Sequence, residues 1–276
     1  MNKKQRNAAT ERVRDFYDGP ADKIYKTTWG ENLHLGISPG EDSSHQDAMV
    51  HATKIMAALI PLDEGTSVLD LGSGYGGPAR YLSSSFGCRV TGLNLSHVEI
   101  EEAEKRTKSL GLDSKITYVQ GDFHELEFPE AAFDVVWSQD SLMYGADKRQ
   151  ILRETHRVLK PGGVLDFTDI LASPDLEPTD RHRLYDRVRT PEMWDIERYL
   201  QELITLGFKI RRVEDWSEHV AMSYSSARTA TLENRAKLES EVGPELVERT
   251  LDGLAFWVDM ARKGNVGWAL FVAAKP

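Results

Sequence analysis

The densest group of residues able to bind a ligand lies just after position 69. Asp70 stands two residues before Gly72, and Ser73 and Gly74 complete a turn at the end of a short apolar run. Glycines let the backbone approach a ligand closely and adopt positive φ, and a helix that begins here would present unpaired N–H groups. The pattern therefore predicts a ligand pocket at a strand-to-helix turn.

Polar residues also follow three later apolar runs. Asn94-Leu95 ends the second run, Asp122-Phe123 follows the third, and Gln139-Asp140 ends the fourth. Open α/β sheets bind ligands at the carboxyl ends of their strands. We therefore expect these side chains to meet at one edge of a sheet.

The elements that must position these residues alternate between strand and helix. The predicted strands are Val68–Leu71, Arg89–Leu93, Lys115–Gln120, Asp134–Ser138, Val164–Thr168, Phe208–Val213 and Gly267–Ala273. The predicted helices between them are Arg80–Phe86, Ser96–Leu110 and Lys148–Leu159, the last stopped by a Pro-Gly-Gly sequence. This order predicts an α/β fold with a seven-stranded, mostly parallel sheet and helices on both faces.

Two regions fall outside this alternation. An amphipathic segment at Ala8–Tyr17, a turn-rich stretch and a helix at about Gln46–Ile60 precede the first strand. A helical block at Ser217–Lys263 lies between the last two strands. That block cannot belong to the sheet, so we expect it to form a lid over it. The prediction is one domain, divided into an N-terminal helical cap at 1–65, a core at 66–216, the lid at 217–263 and a last strand at 264–276.

The four strand-end motifs, with Leu159–Gly163 as a fifth, resemble in order and spacing those of class I S-adenosylmethionine-dependent methyltransferases. The resemblance implies a Rossmann-like fold and S-adenosylmethionine (SAM) as the cofactor. It implies cofactor contacts at Asp70, Gly72, Ser73, Gly74, Asn94, Leu95, Asp122, Phe123 and Gln139. In that class an acid usually grips the ribose hydroxyls, Asp122 would face the adenine amino group, and this chain has Asn94 at the ribose position.

Three further segments are similar to the sarcosine/dimethylglycine N-methyltransferases. They are Trp29–Gly36, Trp137–Ser141 and Gly267–Leu270. In that family a helical segment between the last two strands helps to close the substrate pocket, and Pro-Met tends to follow the Thr-Asp pair of the fifth strand. This chain has Ile170-Leu171 there, which leaves the methyl acceptor open.

The candidate catalytic residues are Trp29, His34, Gln139 and Asp140, the first two by resemblance and the others by their place after the fourth strand. For the substrate, aromatic faces can hold a methylated ammonium by cation–π attraction of about 0.5–2 kcal/mol each, and arginine can hold a carboxylate. The candidate substrate contacts are Tyr25, Trp29, Tyr144, Arg187 and Arg189.

Composition narrows the function further. The 276 residues carry a formal net charge of −10, which disfavours general nucleic-acid binding. No apolar run reaches the roughly 20 residues of a bilayer span, and the eight histidines show no metal-ligand spacing. We therefore expect a cytoplasmic monomer or homodimer that acts on a small molecule and binds no metal, membrane or nucleic acid.

Two interpretations compete with a small-amine N-methyltransferase that produces glycine betaine. The first is a SAM-dependent methyltransferase for another small acceptor, such as a phosphobase, a thioether or a natural-product hydroxyl. The second is a non-catalytic protein that binds SAM or its demethylated product, because fold does not determine function. The intact glycine turn argues against the second.

Overall fold

A computed structural model describes residues 3–276, except for the side chain of residue 4. Its sheet has seven strands in the order β3-β2-β1-β4-β5-β7-β6. The strands are β1 Ser67–Leu71, β2 Arg89–Asn94, β3 Ile116–Gln120, β4 Phe133–Gln139, β5 Leu159–Ala172, β6 Lys209–Asp215 and β7 Val266–Ala274. Neighbouring strands pair in parallel except β7, which is antiparallel to both β5 and β6. The predicted fold class is confirmed.

Helices cover both faces of this sheet. Within the described part of the chain they are α1 Lys3–Tyr17, α2 Ala21–Trp29, α3 His45–Ala57, α4 Gly77–Phe86, α5 His97–Ser109, α6 Lys148–Val158, α7 Pro178–Val188, α8 Ile196–Thr205, α9 Val220–Glu233, α10 Arg235–Val242 and α11 Pro244–Arg262. Short 3-10 turns occur at Leu142–Tyr144 and Ser217–His219. In the described residues, no helix is long and apolar enough to cross a bilayer.

The central strands are apolar on both sides because both faces of the sheet are buried. Val68 and Trp137 belong to the apolar cluster on one face, and Leu69, Val136 and Phe167 to the cluster on the other. Neighbouring residues of a strand point to opposite faces. The strand ends, where this apolar pattern stops, are left for polar residues and glycines.

Local signals determine where the helices nearest the glycine turn begin and end. Helix α4 follows Gly76 and ends before Gly87, both in the left-handed region, and Pro78 occupies its first turn. Helix α5 is capped by Ser96, whose hydroxyl accepts a hydrogen bond from the Glu99 N–H at 3.2 Å. This cap holds Glu99 in the first turn of α5, next to the end of β2.

The structure differs from the sequence predictions in three regions. Helix α2 was predicted as a turn-rich stretch, because Gly19 and Pro20 directly precede it. Strand β5 is longer than predicted, since β7 pairs with it as far as Ala172. The block between β6 and β7 is divided by Asn234 and Gly243 into three helices, and its function as a lid stays a prediction.

Candidate active site

The glycine turn between β1 and α4 has a backbone that only glycine adopts easily. Gly72, Gly74 and Gly76 have φ of 77°, 49° and 75°. A Cβ atom at Gly72 would overlap the side chain of Ser141. The N–H groups of Gly72 and Ser73 both donate to the Leu93 carbonyl, at 2.8 and 3.1 Å, which ties the turn to the end of β2.

A cavity opens above this turn, and its empty volume is about 580 Å³ when the solvent at its mouth is included. Its lining includes the predicted residues Gly72, Gly74, Asn94, Leu95, Phe123, Asp140 and Tyr144. It also includes Val13 and Tyr17 of α1, Leu33 before α3 and Glu99 of α5, none of which was predicted for the site.

The polar group at the end of β2 is a pair rather than the single amide that the sequence suggested. The Asn94 side chain accepts from the Gly74 N–H at 3.3 Å and donates to Glu99 Oε2 at 2.7 Å. The other Glu99 oxygen, Oε1, is buried and has no hydrogen-bond partner among the described residues. Burial raises the pKa of Glu99 to about 8. The sequence analysis did not assign Glu99 to the site, although its position five residues after Asn94 was an available signal.

Three other predicted cofactor residues lie behind the cavity wall. Asp70 is buried with Oδ2 unpartnered within residues 3–276, and burial raises its pKa to about 7. Ser73 is also buried, and its hydroxyl has no partner in the described structure. Asp122 accepts hydrogen bonds from the His124 N–H at 2.9 Å and the Thr10 hydroxyl at 3.1 Å. Its backbone neighbours, rather than Asp122 itself, line the cavity.

A second cavity of about 380 Å³ adjoins the first. Tyr17, Leu33, Asp140 and Tyr144 line both cavities, so a ligand in one reaches the boundary of the other. The predicted residues in its lining are Tyr25, Trp29, His34, Asp140, Tyr144 and Arg187. Tyr17 and Tyr224 add two aromatic side chains that sequence reasoning missed, because they come from α1 and α9, far along the chain.

Besides Asp70, Ser73 and Asp122, two further predicted residues are absent from both cavity linings. Arg189 follows the last residue of α7 in the left-handed region, with φ of 59°, and its guanidinium pairs with Asp186 at the surface. The Gln139 side chain lies beneath the second cavity, where its oxygen accepts from Trp137 Nε1 at 3.1 Å and from the Thr53 hydroxyl at 3.2 Å. The proposed contacts of these two side chains with a ligand stay predictions.

Comparison with known proteins agrees with this arrangement. The family described as "Methyltransferase domain" matches residues 69–167, from β1 into β5. The chain is 34% identical over 270 residues to a sarcosine/dimethylglycine N-methyltransferase of Halorhodospira halochloris, covering 97% of each chain. The chain belongs to the sarcosine/dimethylglycine N-methyltransferase family. It is therefore a SAM-dependent methyltransferase.

Other relatives of this methyltransferase give the same picture. It is 32% identical to a sarcosine/dimethylglycine N-methyltransferase of Aphanothece halophytica, over 98% of this chain and 99% of that one. The solved structure of a Galdieria sulphuraria chain assigned as a sarcosine dimethylglycine methyltransferase has a TM-score of 0.87 at 26% identity, covering 94% and 98% of the two chains. The Mycobacterium tuberculosis cyclopropane synthase MmaA2 also gives 0.87, at 19% identity, which indicates a shared fold alone.

The residues of the first cavity fit SAM. The glycine turn leaves the close approach that a side chain would fill, and the unpartnered Glu99 oxygen offers an acceptor to a diol. The first turn of α5 therefore places a carboxyl group beside Asn94, at the end of β2.

Asp140 forms the boundary between the two cavities. Its φ is 54°, and its carboxylate accepts from the Leu35 N–H at 2.7 Å, the Thr168 hydroxyl at 2.8 Å and Trp268 Nε1 at 2.7 Å. Burial raises its pKa to about 6, although these three donors favour the charged form. This carboxylate joins three chain segments at the boundary between the two cavities.

His34 is a neutral imidazole in the wall of the second cavity. Burial lowers its pKa to about 4. Its Nδ1 donates to the Leu35 carbonyl at 2.8 Å, which leaves Nε2 as an acceptor, 3.4 Å from the Thr53 hydroxyl. His34 therefore adds no positive charge near the acceptor site at neutral pH.

Arg187 brings a cation to the second cavity. Its guanidinium carbon lies 5.8 Å from the ring centroid of Tyr224 and 5.6 Å from that of Trp257. Its Nε is buried without a hydrogen-bond partner, and the guanidinium pairs with no carboxylate in the described chain. A guanidinium left unpaired among aromatic rings is available to an anionic ligand.

Proposed function

We propose that this enzyme methylates the amine of sarcosine or dimethylglycine, with glycine betaine as the end product. The observation that carries the proposal is the unpaired Arg187 guanidinium in an aromatic cavity that adjoins the cofactor cavity. The names of its relatives, which methylate sarcosine and dimethylglycine, support the same substrates.

The chemistry of these substrates matches the two kinds of wall in the second cavity. An N-methylated glycine has a carboxylate at one end and a methylated nitrogen at the other. Arg187 would bind the carboxylate through a charge-assisted pair. Tyr17, Trp29 and Tyr224 would surround the nitrogen, and their faces would stabilise the cationic product.

Alignment and exclusion of water are the main contributions expected from this chain. When bound, SAM supplies the methyl group as a positively charged sulfonium. Holding two reactants in line can provide about 7–11 kcal/mol of a barrier. Asp140 would hold the boundary in place, and the Tyr17 hydroxyl, which donates to the Tyr144 hydroxyl at 2.6 Å, would fix both phenols beside the reacting nitrogen.

A tertiary amine must be unprotonated before it attacks, and it has no proton to lose afterwards. Sarcosine, a secondary amine, must also be unprotonated before it attacks, and its product can keep the remaining proton as a tertiary ammonium or release it to solvent. The proposal therefore needs no strong general base for either substrate. The neutral His34 is consistent with this, because a histidine whose pKa is about 4 would be a weak base at neutral pH.

The remaining sequence predictions belong to the same proposal. Glu99 would bind the ribose in place of Asn94. The helices before β1 would act as a cap and the 217–263 block as a lid, in a single domain. The Tyr224 side chain of α9 supports the lid, because it lines the second cavity. Two adjoining cavities and a net charge of −10 support a small acceptor rather than nucleic acid, in a cytoplasmic monomer or homodimer.

The test is mass spectrometry of reactions that contain SAM and one acceptor each: glycine, sarcosine, dimethylglycine or phosphoethanolamine. We expect methylated products from sarcosine and dimethylglycine, with betaine accumulating. Turnover of phosphoethanolamine, without turnover of the glycine series, would overturn the proposed substrate and leave the assignment as a methyltransferase intact. Binding of SAM with no turnover of any acceptor would favour the non-catalytic interpretation.

A further inference from the structure

A glycine lies inside the longest helix of the protein without a backbone reason. Gly253 is the tenth residue of the 19-residue helix α11 and is not among the glycines with positive φ. Gly243 and Gly264, in contrast, flank α11 and have φ of 86° and 73°. Glycine inside a helix is less stable than alanine, so Gly253 calls for a reason outside the backbone.

Close packing of the Arg187 side chain explains why residue 253 is a glycine. A Cβ atom at position 253 would lie 2.8 Å from Arg187 Cδ and 2.9 Å from Nε. Real Cβ atoms do not approach other atoms so closely, so either the arginine or the helix would have to move. The stem of Arg187 therefore crosses α11 where the helix has no side chain.

One turn further along α11, Trp257 lies beneath the other end of the same arginine, with its ring centroid 5.6 Å from the guanidinium carbon. Residues four apart lie on one face of a helix. On this face of α11, the stem of Arg187 packs against Gly253 and its guanidinium lies over the ring of Trp257.

We propose that Gly253 is a specificity-determining residue that positions Arg187 to select an acceptor with a carboxylate. It acts through Arg187 and does not itself touch the substrate. The inference rests on the proposed function, because it assigns the carboxylate of the glycine-series substrate to Arg187. A side chain at 253 would displace the guanidinium, and a misplacement near 1 Å can cost on the order of 10²-fold in rate.

The experiment compares betaine with choline, which has the same trimethylammonium group and no carboxylate. Calorimetry would measure the affinity of each for the enzyme loaded with S-adenosylhomocysteine, the demethylated product of SAM. Gly253→Ala should lower the preference for betaine about tenfold, by analogy with the cost of a misplaced group. It should raise the KM for dimethylglycine and leave the KM for SAM unchanged.

Ala255→Gly is the matched control, since residue 255 is exposed on the same helix. It should lower thermal stability through the helix backbone and leave the betaine preference intact. In an Arg187→Ala background, Gly253→Ala should not change the preference for betaine over choline any further, because a positioning residue loses its effect when its partner is removed.

Each outcome has one meaning. If the wild type does not methylate dimethylglycine, the proposed function fails, and the inference fails with it. If the wild type methylates it and Gly253→Ala keeps the full preference for betaine, the inference alone is overturned. If Gly253→Ala lowers the betaine preference of the Arg187→Ala variant further, the inference is also overturned, because Gly253 would then act by another route.

Discussion

The substitution Glu99→Gln offers the sharpest test of the cofactor cavity. Glu99 is 3% exposed, and its Oε1 has no partner within the described residues, while Oε2 accepts from Asn94. Glutamine keeps the size and can still accept from Asn94. The substitution therefore removes charge from the cavity and little else.

The magnitude follows from two opposing quantities. A hydrogen bond to a charged group contributes about 1.5–3 kcal/mol, or on the order of 10–100-fold in affinity. Because the pKa of Glu99 is about 8, the carboxyl is mostly protonated in the free protein at pH 7. Ionising it one pH unit below its pKa costs about 1.4 kcal/mol, which offsets much of that gain. We therefore expect Glu99→Gln to weaken binding by about 10–100-fold at pH 9 and by about tenfold less at pH 7.

The assay is calorimetric titration with S-adenosylhomocysteine from pH 6 to pH 9. Wild-type affinity should rise with pH and level off above pH 8, with proton release visible when buffers of different ionisation enthalpy are compared. Glu101→Gln, an exposed change on the same helix, should keep the wild-type profile. If Glu99→Gln binds as tightly as the wild type at pH 9, the carboxylate does not bind the ribose and the reasoning is refuted.

Arg187→Ala should raise the KM for dimethylglycine by about 10–100-fold, the value of a charged hydrogen bond. Arg189→Ala should leave it unchanged in steady-state kinetics, and equal effects would contradict the assignment. The Asp166 carboxyl, buried without a partner in the described chain, has a pKa raised by burial, so the unfolded state loses its proton first and the free energy of unfolding falls as pH rises above about 4. Asp166→Asn should flatten that slope in urea titrations at pH 4 and pH 8; an unchanged slope would argue against the buried neutral acid. Hydrogen exchange should show residues 217–263 gaining protection when S-adenosylhomocysteine and betaine are both bound, and protection equal to that of the free protein would leave these helices as plain structure.

Much of the sheet could be predicted because its signals are local. Each central strand is an apolar run, and the turn after β1 needs glycines at 72 and 74 whatever surrounds it. Helix α2 could not be predicted in the same way, because the Gly19-Pro20 turn before it dominates the local pattern. The fold was thus predicted from the order of strands and helices, and not from the exact residues at which they begin and end.

The site was harder to predict because its walls come from distant parts of the chain. Tyr17 and Tyr224 line one cavity although α1 and α9 lie at opposite ends of the sequence. Arg187 and Arg189 are equivalent in the sequence pattern. Because α7 ends between them, Arg187 lines the second cavity and Arg189 lies at the surface. The sequence analysis selected Asn94 at the end of β2, whereas the fold also brings the carboxyl group of Glu99, five residues later, into the lining of the first cavity.

The hydrogen bonds to Asp140 affect how the enzyme folds while it is being synthesised on the ribosome. Its carboxylate is held by donors at positions 35, 168 and 268, the last of them on β7, which is the last strand to be synthesised. A nascent chain can therefore pair the first four strands, β1 through β4, and form the glycine turn before Trp268 donates to Asp140 at the boundary between the two cavities. Methyl transfer should begin only after β7 has inserted between β5 and β6, so fragments that stop before Trp268 would retain part of the cofactor cavity and yet be inactive.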